Sequence, residues 1–337
     1  MTENPHDALF KLIFSQPEHA AGELRAVLPP ELSARIDWKT LVHSPGSFVD
    51  EALAQSHVDL LFTASLDGVP VLLYFLFEHL STLQPLVPFR MLRYEVRIWD
   101  DWLLKHPGVK RLPPIVPLVL HHSESGWHGP TEFEDVLDIP PADLEHLAPF
   151  VPQFRVLLDD VSKTSDEALR RRAMTALGTL ALWCLKDVRK PGHLFRNLGI
   201  FADLLNDVWR APNGVAALGA ILRYIVTTGE GQPHTRENDL PKKLRHLLAP
   251  VDEAKMETLL NQLQELYMER GIERGIERGV ALGRREMLLR QLRKRFGELS
   301  DGAVSRVNGA DVPTLDVWAD RVLTARTLDE VWTPPPK

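Results

Sequence analysis

The sequence has little cysteine: one residue among 337. A single cysteine cannot form an intramolecular disulfide, so a disulfide framework is excluded, and a cysteine-rich zinc motif is absent as well. Cys184 lies in the apolar stretch LALWCLKD, which predicts a buried core thiol rather than a nucleophile. We therefore expect a reducing, cytoplasmic location.

Long hydrophobic runs and an excess of positive charge are also missing. No run approaches the roughly 18 apolar residues of a membrane span, and the opening stretch MTENPHDALF lacks the pattern of a signal peptide. The net charge of −7 disfavours a general nucleic-acid coat protein but is compatible with a local basic groove. We find no glycine-rich phosphate loop and no serine nucleophile elbow. These absences predict a soluble protein without membrane contact.

What is present is typical of an ordinary globular chain, with 44% hydrophobic and 25% charged residues. The pattern of apolar residues and breakers predicts four regions. These are an α/β core over 1–165, a helical extension over 166–268, a glycine-repeat helix or linker over 269–285, and a small helical module over 286–332.

A β-hairpin is the clearest local prediction, in the stretch HVDLLFTASLDGVPVLLYFLFEHL. Residues 58–64 and Val69–Glu78 are rich in strand-forming residues, and Asp67-Gly68 between them is a typical hairpin turn. The second strand is apolar on both faces, which predicts a central strand covered by helices on both sides.

Other segments complete the predicted α/β core. A helix after the hairpin ends at Pro107-Gly108, and the following apolar run predicts a buried strand that can lie parallel to the hairpin. Ser165 is a candidate cap for the first helix of the extension. The predicted elements are a first helix over 7–28, a helix over 88–106, strands over 113–122 and 154–162, and helices from 166 to 267.

Two acids near the same end of the predicted hairpin are the first candidate site. A turn at Asp67-Gly68 pairs positions that place Asp59 opposite Leu76, with Glu78 as its diagonal neighbour on the same face. Two carboxylates in apolar surroundings repel each other unless a cation lies near them. Mg²⁺ prefers carboxylate oxygens and assists phosphodiester hydrolysis. The alternative is a strand-end pair that an arginine or lysine neutralises.

This layout resembles the PD-(D/E)XK nuclease core, and more closely the Rpn group of recombination-promoting nucleases, which are also described as YhgA-like. The similarity covers about residues 5–210 in sequential order. It rests on the following stretches: HDALFKLIFSQPEHAAGEL, LPPEL with IDWKTL, SFVDEALAQSHVDLLF, FLFEHLS, PFRMLRYEVRIWDDW and LPPIVPLVLHHSESGW.

The resemblance implies a Mg²⁺-dependent DNA endonuclease associated with recombination or transposition. It makes Asp59 and Glu78 the catalytic metal ligands and gives the backbone carbonyl of His79 as a further ligand. It expects glutamine or lysine two residues after the glutamate, where this sequence has Leu80. Leucine can neither orient water nor stabilise charge.

Three consequences of Leu80 stay open. His79 or Gln84 substitutes for the missing group, the reaction is slow, or the protein is a catalytically degenerate DNA-binding or oligomeric regulator with a nuclease fold. Asp7, in the predicted first helix, is a further accessory candidate.

Three arginines of the predicted helix over 88–106 share one face. Arg90, Arg93 and Arg97 are spaced for contacts with DNA phosphates. The alternative is ion pairing on a wet surface with Glu95, Asp100 and Asp101. His121 and His122 end the following strand and are either a ligand or proton carrier, or plain polar residues.

A glycine repeat stands out in the last third of the chain, in MERGIERGIERGVALG. Each glycine costs a helix about 1 kcal/mol relative to alanine, so four at a spacing of four need a reason. One interpretation is close helix packing in a homo-oligomer, and the other is a solvated linker helix. The four residues are Gly271, Gly275, Gly279 and Gly283.

The segment after the repeat predicts two apolar helix faces. The first comprises Leu288, Leu289, Leu292 and Phe296, and the second Leu315, Trp318, Val322 and Leu323. The basic run RREMLLRQLRKR over 284–295 is either a DNA-binding stripe or the wet side of an amphipathic helix.

Overall fold

The computed structural model describes residues 4–44, 58–78, 85–123, 125–187, 190, 193–228 and 239–332. The chain forms two compact units, Met1–Leu263 and Gln264–Lys337. The described part of the first unit holds a five-stranded sheet and helices, and that of the second unit is helical. The chain is therefore of the mixed α/β class.

The sheet is mixed, with its strands in the order β1-β2-β3-β4-β5. The β1–β2 and β2–β3 pairs are antiparallel, whereas the β3–β4 and β4–β5 pairs are parallel. The predicted strand over 113–122 is thus confirmed beside the hairpin, and the one over 154–162 forms the edge. The strands are β1 (Ile36–Ser44), β2 (Val58–Leu66), β3 (Val69–Glu78), β4 (Ile115–His121) and β5 (Leu157–Asp160).

The hairpin of β2 and β3 is confirmed together with its register. Asp67 and Gly68 both have positive φ, at 51° and 84°, as a type I′ turn requires. The Arg35 Nε donates to Asp67 Oδ2 at 2.7 Å. Pairing runs without a slip from Leu66↔Val69 to Val58↔Phe77.

Fifteen α-helices lie in the described residues. They are α1 (Pro5–Phe14), α2 (Pro17–Val27), α3 (Pro30–Ser33), α4 (Val87–Lys105), α5 (Pro141–Leu147), α6 (Asp166–Arg170), α7 (Ala176–Asp187), α8 (His193–Asn197), α9 (Ala202–Arg210), α10 (Gly214–Thr228), α11 (Asp239–Leu247), α12 (Glu253–Phe296), α13 (Asp301–Gly309), α14 (Val312–Thr324) and α15 (Leu328–Trp332).

The prediction of a single first helix over 7–28 is wrong. The chain forms α1 and α2 there, and the break falls at Ser15 and Gln16. Pro17 is the reason, because a proline has no N–H to donate and its ring collides with the carbonyl four residues earlier. It is therefore placed at the start of the second helix, where an N–H is not needed.

Helices cover both faces of the sheet, as the apolar β3 predicts. Helix α4 packs on one face through Met91, Tyr94 and Ile98, which share a buried cluster with Tyr74 of β3. Leu158 of β5 packs against this cluster. The next residue, Asp159, belongs to the opposite face, where its carboxylate binds an arginine that also binds α2.

The described residues from Asp166 to Tyr267 are mainly helical, as predicted, and the core of this region surrounds α7. Trp183 and Cys184 of this helix are fully buried, and burial raises the pKa of the Cys184 thiol far above its usual range. Cys184 is thus a core thiol, as predicted. Ser165 caps α6, with its hydroxyl accepting from the Ala168 N–H at 3.1 Å. No helix of the described chain is long and apolar enough to cross a membrane.

The second unit has its own core, built from the end of α12 and from α13, α14 and α15. Leu288, Leu292, Leu315 and Val322 are buried in it, as predicted. Leu323 is not, since 68% of it is exposed. One residue beyond Val322, it lies about 100° further round the helix.

Two residues of the basic run over 284–295 bind carbonyl groups of the same unit. Arg285 donates to the Ala310 carbonyl at 3.0 Å, and Arg295 donates to the Leu323 and Ala325 carbonyls at 2.7 Å each. These contacts favour the amphipathic-helix interpretation of the run over a free DNA-binding stripe.

A buried ion-pair cluster joins α2, β5 and the segment after α6. Arg172 donates to Glu23 Oε2 at 2.9 Å and binds both oxygens of Asp159, at 2.6 and 2.8 Å. Burial and the nearby Asp159 raise the pKa of Glu23 well above its usual value. Burial works in the same direction on Asp159, but hydrogen bonds from Arg172 and Glu23 outweigh it and lower its pKa. The cluster therefore favours the neutral form of Glu23 and the ionised form of Asp159.

We predict that Arg172→Met lowers the free energy of unfolding by about 3–5 kcal/mol, because it leaves the buried Asp159 carboxylate without its cation. Urea denaturation followed by circular dichroism measures the change. Arg171→Met is the matched control, since exposed Arg171 pairs with Glu167 at the surface and its loss costs no more than about 1 kcal/mol. Equal denaturation midpoints for the two variants would contradict a structural role for the cluster.

Candidate functional site

The candidate acids lie at one end of the two central strands. The structure describes both residues at the level of the backbone. Asp59 of β2 is in register with Leu76 of β3, as predicted, and Glu78 of β3 is in register with His121 of β4. Asp59 and Glu78 thus occupy neighbouring positions at the end where β3 and β4 finish.

The positions of these residues follow from strand alternation. Leu61, Tyr74 and Val119 belong to the cluster that packs against α4. Counting by twos from each of them reaches positions 59, 78 and 121. The three positions therefore share the face of the sheet that α4 covers.

Of these three positions, 121 is the one whose side chain the structure describes, and it holds His121. It is 4% exposed, its Nε2 lies 3.0 Å from Ser123 Oγ, and its ring meets the Trp127 ring edge-on at 5.0 Å. The Ser123 Oγ also accepts from the Gly126 N–H at 2.9 Å. The loop after β4 thus holds the imidazole in place.

Asp160 stands next to His121 in the register of β4 and β5. Its Oδ2 accepts from the Trp127 N–H at 2.8 Å, and its Oδ1 accepts from the Ser162 N–H at 3.2 Å. The two carboxylate oxygens of Asp160 therefore fix the backbone at Trp127 and at Ser162, in the loops around His121.

The start of α1 reaches the same end of β4 from the other face. His6 meets the ring of the buried His122 edge-on at 5.2 Å, and its Nδ1 lies 2.7 Å from the Tyr224 hydroxyl. Asp7 follows His6 in the first turn of α1. The packing of His6 thus brings the helix turn that contains Asp7 near the end of β4.

The three arginines lie on α4, which begins beyond β3. Arg93 is exposed, and Arg90 and Arg97 are partly buried. Asp101, one of the three acids that could pair with these arginines at the surface, binds Lys105 at 2.8 Å. Glu95, another of these three acids, is buried.

Glu95 is a buried carboxyl on the packed side of α4, with 5% of its surface exposed. Among the described residues, no cationic group lies within ion-pair distance of it. Burial raises its pKa to about 7. Its spacing of four from Met91 and three from Ile98 is the signal that could have placed it inside.

The described side chains form no cluster that could bind a metal ion. Within the described ranges, no group of three or more His, Cys, Asp or Glu residues comes together in a way that could hold a metal ion. His79, Leu80 and Gln84 lie outside the described residues. The assignments of Asp59, Glu78, His79, Gln84 and Asp7 therefore stay predictions.

Comparison with known proteins identifies relatives over most of the chain. The family model described as "Putative transposase, YhgA-like" matches residues 4–215. The recombination-promoting nuclease RpnA of Escherichia coli K12 is 34% identical over 265 residues, which is 76% of this chain and 85% of RpnA. RpnC of the same organism is 33% identical over 121 residues, or 36% of this chain and 40% of RpnC.

A further relative is named as inactive. The inactive recombination-promoting nuclease-like protein RpnE of Escherichia coli K12 is 24% identical over 266 residues, covering 78% of this chain and 83% of RpnE. No solved structure matches the chain significantly.

We predict that stability depends on the ionisation of Glu95. The folded-state pKa of about 7 lies above the usual 4.5. As the pH rises, the unfolded chain therefore loses the Glu95 proton before the folded protein does. Stability contributed by the neutral carboxyl is therefore complete below about pH 4.5, falls as the pH rises, and is lost above about pH 7.

Glu95→Gln should remove this dependence, because glutamine stays neutral at every pH. The variant should gain roughly 2–3 kcal/mol relative to wild type between pH 5 and pH 8. Urea denaturation at both pH values measures the gain, with Asp100→Asn on the exposed side of α4 as the control. The same difference between Glu95→Gln and wild type at both pH values would refute the assignment.

Proposed function

Because the chain belongs to the Rpn family of YhgA-like proteins, we propose that it is a metal-dependent DNA endonuclease that acts in recombination or transposition. Its relatives RpnA and RpnC carry the name recombination-promoting nuclease. We further propose that its α/β core is of the PD-(D/E)XK type. A hairpin, a helix and a parallel strand in that order support this assignment.

The observation that carries the proposal is the position of the two acids. Asp59 pairs with Leu76, and Glu78 pairs with His121, on adjacent strands at the centre of the sheet. Acids on one sheet face at one strand end are costly unless something compensates their charge. Because relatives of this chain are named nucleases, a bound cation is the compensation that fits best.

Mg²⁺ is the cation that suits the donors we assign. Asp59 and Glu78 offer carboxylate oxygens, and the backbone of His79 adds a carbonyl oxygen, a set that hard divalent cations prefer. When bound, such a cation neutralises charge on the phosphodiester and makes water a better nucleophile.

The chain's own residues divide the remaining work. Asp59 and Glu78 hold the cation, and the arginines of α4 bind flanking phosphates: Arg90, Arg93 and Arg97. Leu80 cannot orient the attacking water, so another group has to do so. His121, which Ser123 orients beside position 78, is a candidate to carry the proton, and His79 and Gln84 are candidates to orient the water. Asp7 is an accessory acid.

A second candidate function is a catalytically degenerate protein that binds DNA or assembles into oligomers. Leu80 favours it, because the position has lost the group that orients water. RpnE, which carries the name of an inactive relative and aligns over most of the chain, supplies a precedent within the family.

We predict that Asp59→Asn and Glu78→Gln each reduce cleavage of supercoiled plasmid at least about a hundredfold, since each removes one charged oxygen donor for the cation. Conversion to nicked and linear DNA is measured with Mg²⁺ and with EDTA. Asp37→Asn, on the edge strand β1, is the control and should cleave as wild type does.

Three outcomes decide between the functions. Metal-dependent cleavage that both variants lose supports the endonuclease. Metal-dependent cleavage that survives in both variants would show that the site lies elsewhere. A wild type that retards DNA on a gel and never cleaves it would favour the degenerate protein.

We also predict that Leu80→Lys increases cleavage, because an ammonium group restores charge beside the scissile phosphate. A gain of about tenfold or more is expected, at the lower end of what one positioned group contributes. The same plasmid assay measures it, and Leu80→Met serves as the apolar control. A rate no higher than that of Leu80→Met would mean that the position does not face the reacting phosphate.

A further inference from the structure

A tyrosine of the helical extension reaches the start of the first helix. Tyr224 of α10 is 3% exposed, and its hydroxyl lies 2.7 Å from Nδ1 of His6 in α1. The two rings also meet edge-on at 5.6 Å. Because these residues are 218 positions apart, the contact ties the extension to the helix turn that contains Asp7.

His6 is held from other sides as well. Its ring meets the ring of the buried His122 edge-on at 5.2 Å. Its backbone N–H donates at 3.0 Å to the side chain of Asn4, which caps α1. Helix α1 as a whole contacts both β2 and α10. The first turn of α1 is therefore fixed between the sheet and the extension, and Tyr224 holds it on the side of the extension.

Stability by itself does not require a hydrogen bond between these two rings. Two buried polar groups give up their hydrogen bonds to water when they pair, so the net gain is small, and an apolar pair of the same shape can serve equally well. What the hydrogen bond adds is a defined geometry, because a fully paired polar group keeps one orientation in a packed core. The Tyr224 hydroxyl thus sets the orientation of the His6 ring.

The orientation of His6 bears on the candidate site through two neighbours. His122 directly follows His121 on β4, and His121 is in register with Glu78 of β3. Asp7 directly follows His6 in α1. A shift of the His6 ring would therefore disturb both the end of β4 and the helix turn that carries Asp7.

We propose that Tyr224 is a positioning residue for the candidate active site and that it acts through His6 on Asp7. This inference rests on the proposed nuclease function. Tyr224 itself does not touch the DNA: its hydroxyl sets the His6 ring, the ring fixes the first turn of α1, and that turn holds Asp7 at the end of the sheet where the candidate acids lie. The helical extension thereby takes part in a site that the α/β core carries.

The first test is kinetic and uses the full chain. Tyr224→Phe keeps the ring and removes only the hydroxyl. It should lower kcat for plasmid cleavage about tenfold or more, as the loss of a residue that orients a site group does. KM should change less than about twofold, because DNA binding is not the step that Tyr224 serves.

Thr175→Val is the matched control for Tyr224→Phe. It removes another contact between a histidine and a hydroxyl in the same unit, that of His19 Nδ1 with Thr175 Oγ1 at 2.8 Å. This contact joins α2 to the start of α7 and involves no candidate site residue. Its kcat should stay within about twofold of wild type. Equal losses of kcat in the two variants would overturn the proposal, because any lost helix contact would then have the same effect.

The second test asks whether Tyr224 acts through Asp7. Asp7→Asn should reduce kcat, and Asp7→Asn/Tyr224→Phe should be no slower than Asp7→Asn alone, because residues that act as a unit do not have additive effects. Asp7→Asn/Thr175→Val supplies the additive reference. Losses that multiply in the double variant with Tyr224→Phe would show that Tyr224 acts independently of Asp7, contrary to the proposal.

The third test separates positioning from direct catalysis by His6. His6→Asn places an amide atom where Nδ1 lies and should keep most of kcat, whereas His6→Leu should lose as much as Tyr224→Phe does. Equal losses in the two variants would mean that the imidazole itself is needed for the reaction. That result would contradict a role of the Tyr224 and His6 pair that is confined to positioning.

A readout that does not depend on cleavage completes the design. Amide hydrogen exchange in the first turn of α1 should be faster in Tyr224→Phe than in wild type, and unchanged in Thr175→Val. Unchanged exchange in Tyr224→Phe would show that the hydroxyl does not fix this turn.

Failure of the inference differs from failure of the proposed function. A wild type that cleaves no DNA under any condition refutes the proposed function, and a positioning role in cleavage falls with it. A wild type that cleaves DNA, with Tyr224→Phe equally fast, overturns the inference alone and leaves the proposed function intact.

Discussion

The register of the hairpin is the constraint on which the rest of the core depends. The positive φ values at Asp67 and Gly68 close a two-residue turn, and every pair from Leu66↔Val69 to Val58↔Phe77 follows from it. A slip by one residue would turn every side chain of a strand to the other face of the sheet. The α4 cluster and the alignment of Asp59 with Leu76 would be lost together.

Once the register is set, the two faces of the sheet take different roles. The face under α4 carries an apolar cluster that ends in the row of positions 59, 78 and 121. The other face is secured by a polar contact, in which Arg172 binds Asp159 of β5 and Glu23 of α2. Alternation along β5 separates the two roles by a single residue, because Leu158 packs against one face and Asp159 binds on the other.

The second unit is held together differently from the first. Its core is local, since the end of α12 packs against three short helices that follow within forty residues. The repeat that precedes this core has exposed isoleucines and no packing use for its glycines within the described chain. Packing within the described chain therefore explains neither the exposed isoleucines nor the glycines.

By itself, the sequence determined those features that arise from neighbouring residues. The turn at Asp67-Gly68, the hairpin register and the cap at Ser165 all depend on side-chain period or turn chemistry over a few positions. Tertiary structure decided the rest. Pairing of Arg172 with Glu23 joins residues 149 positions apart, and the burial of Glu95 and the exposure of Leu323 depend on which helix face meets a neighbour. Periodicity shows that a helix has an apolar side, but the environment of each residue is set only when another surface packs against it.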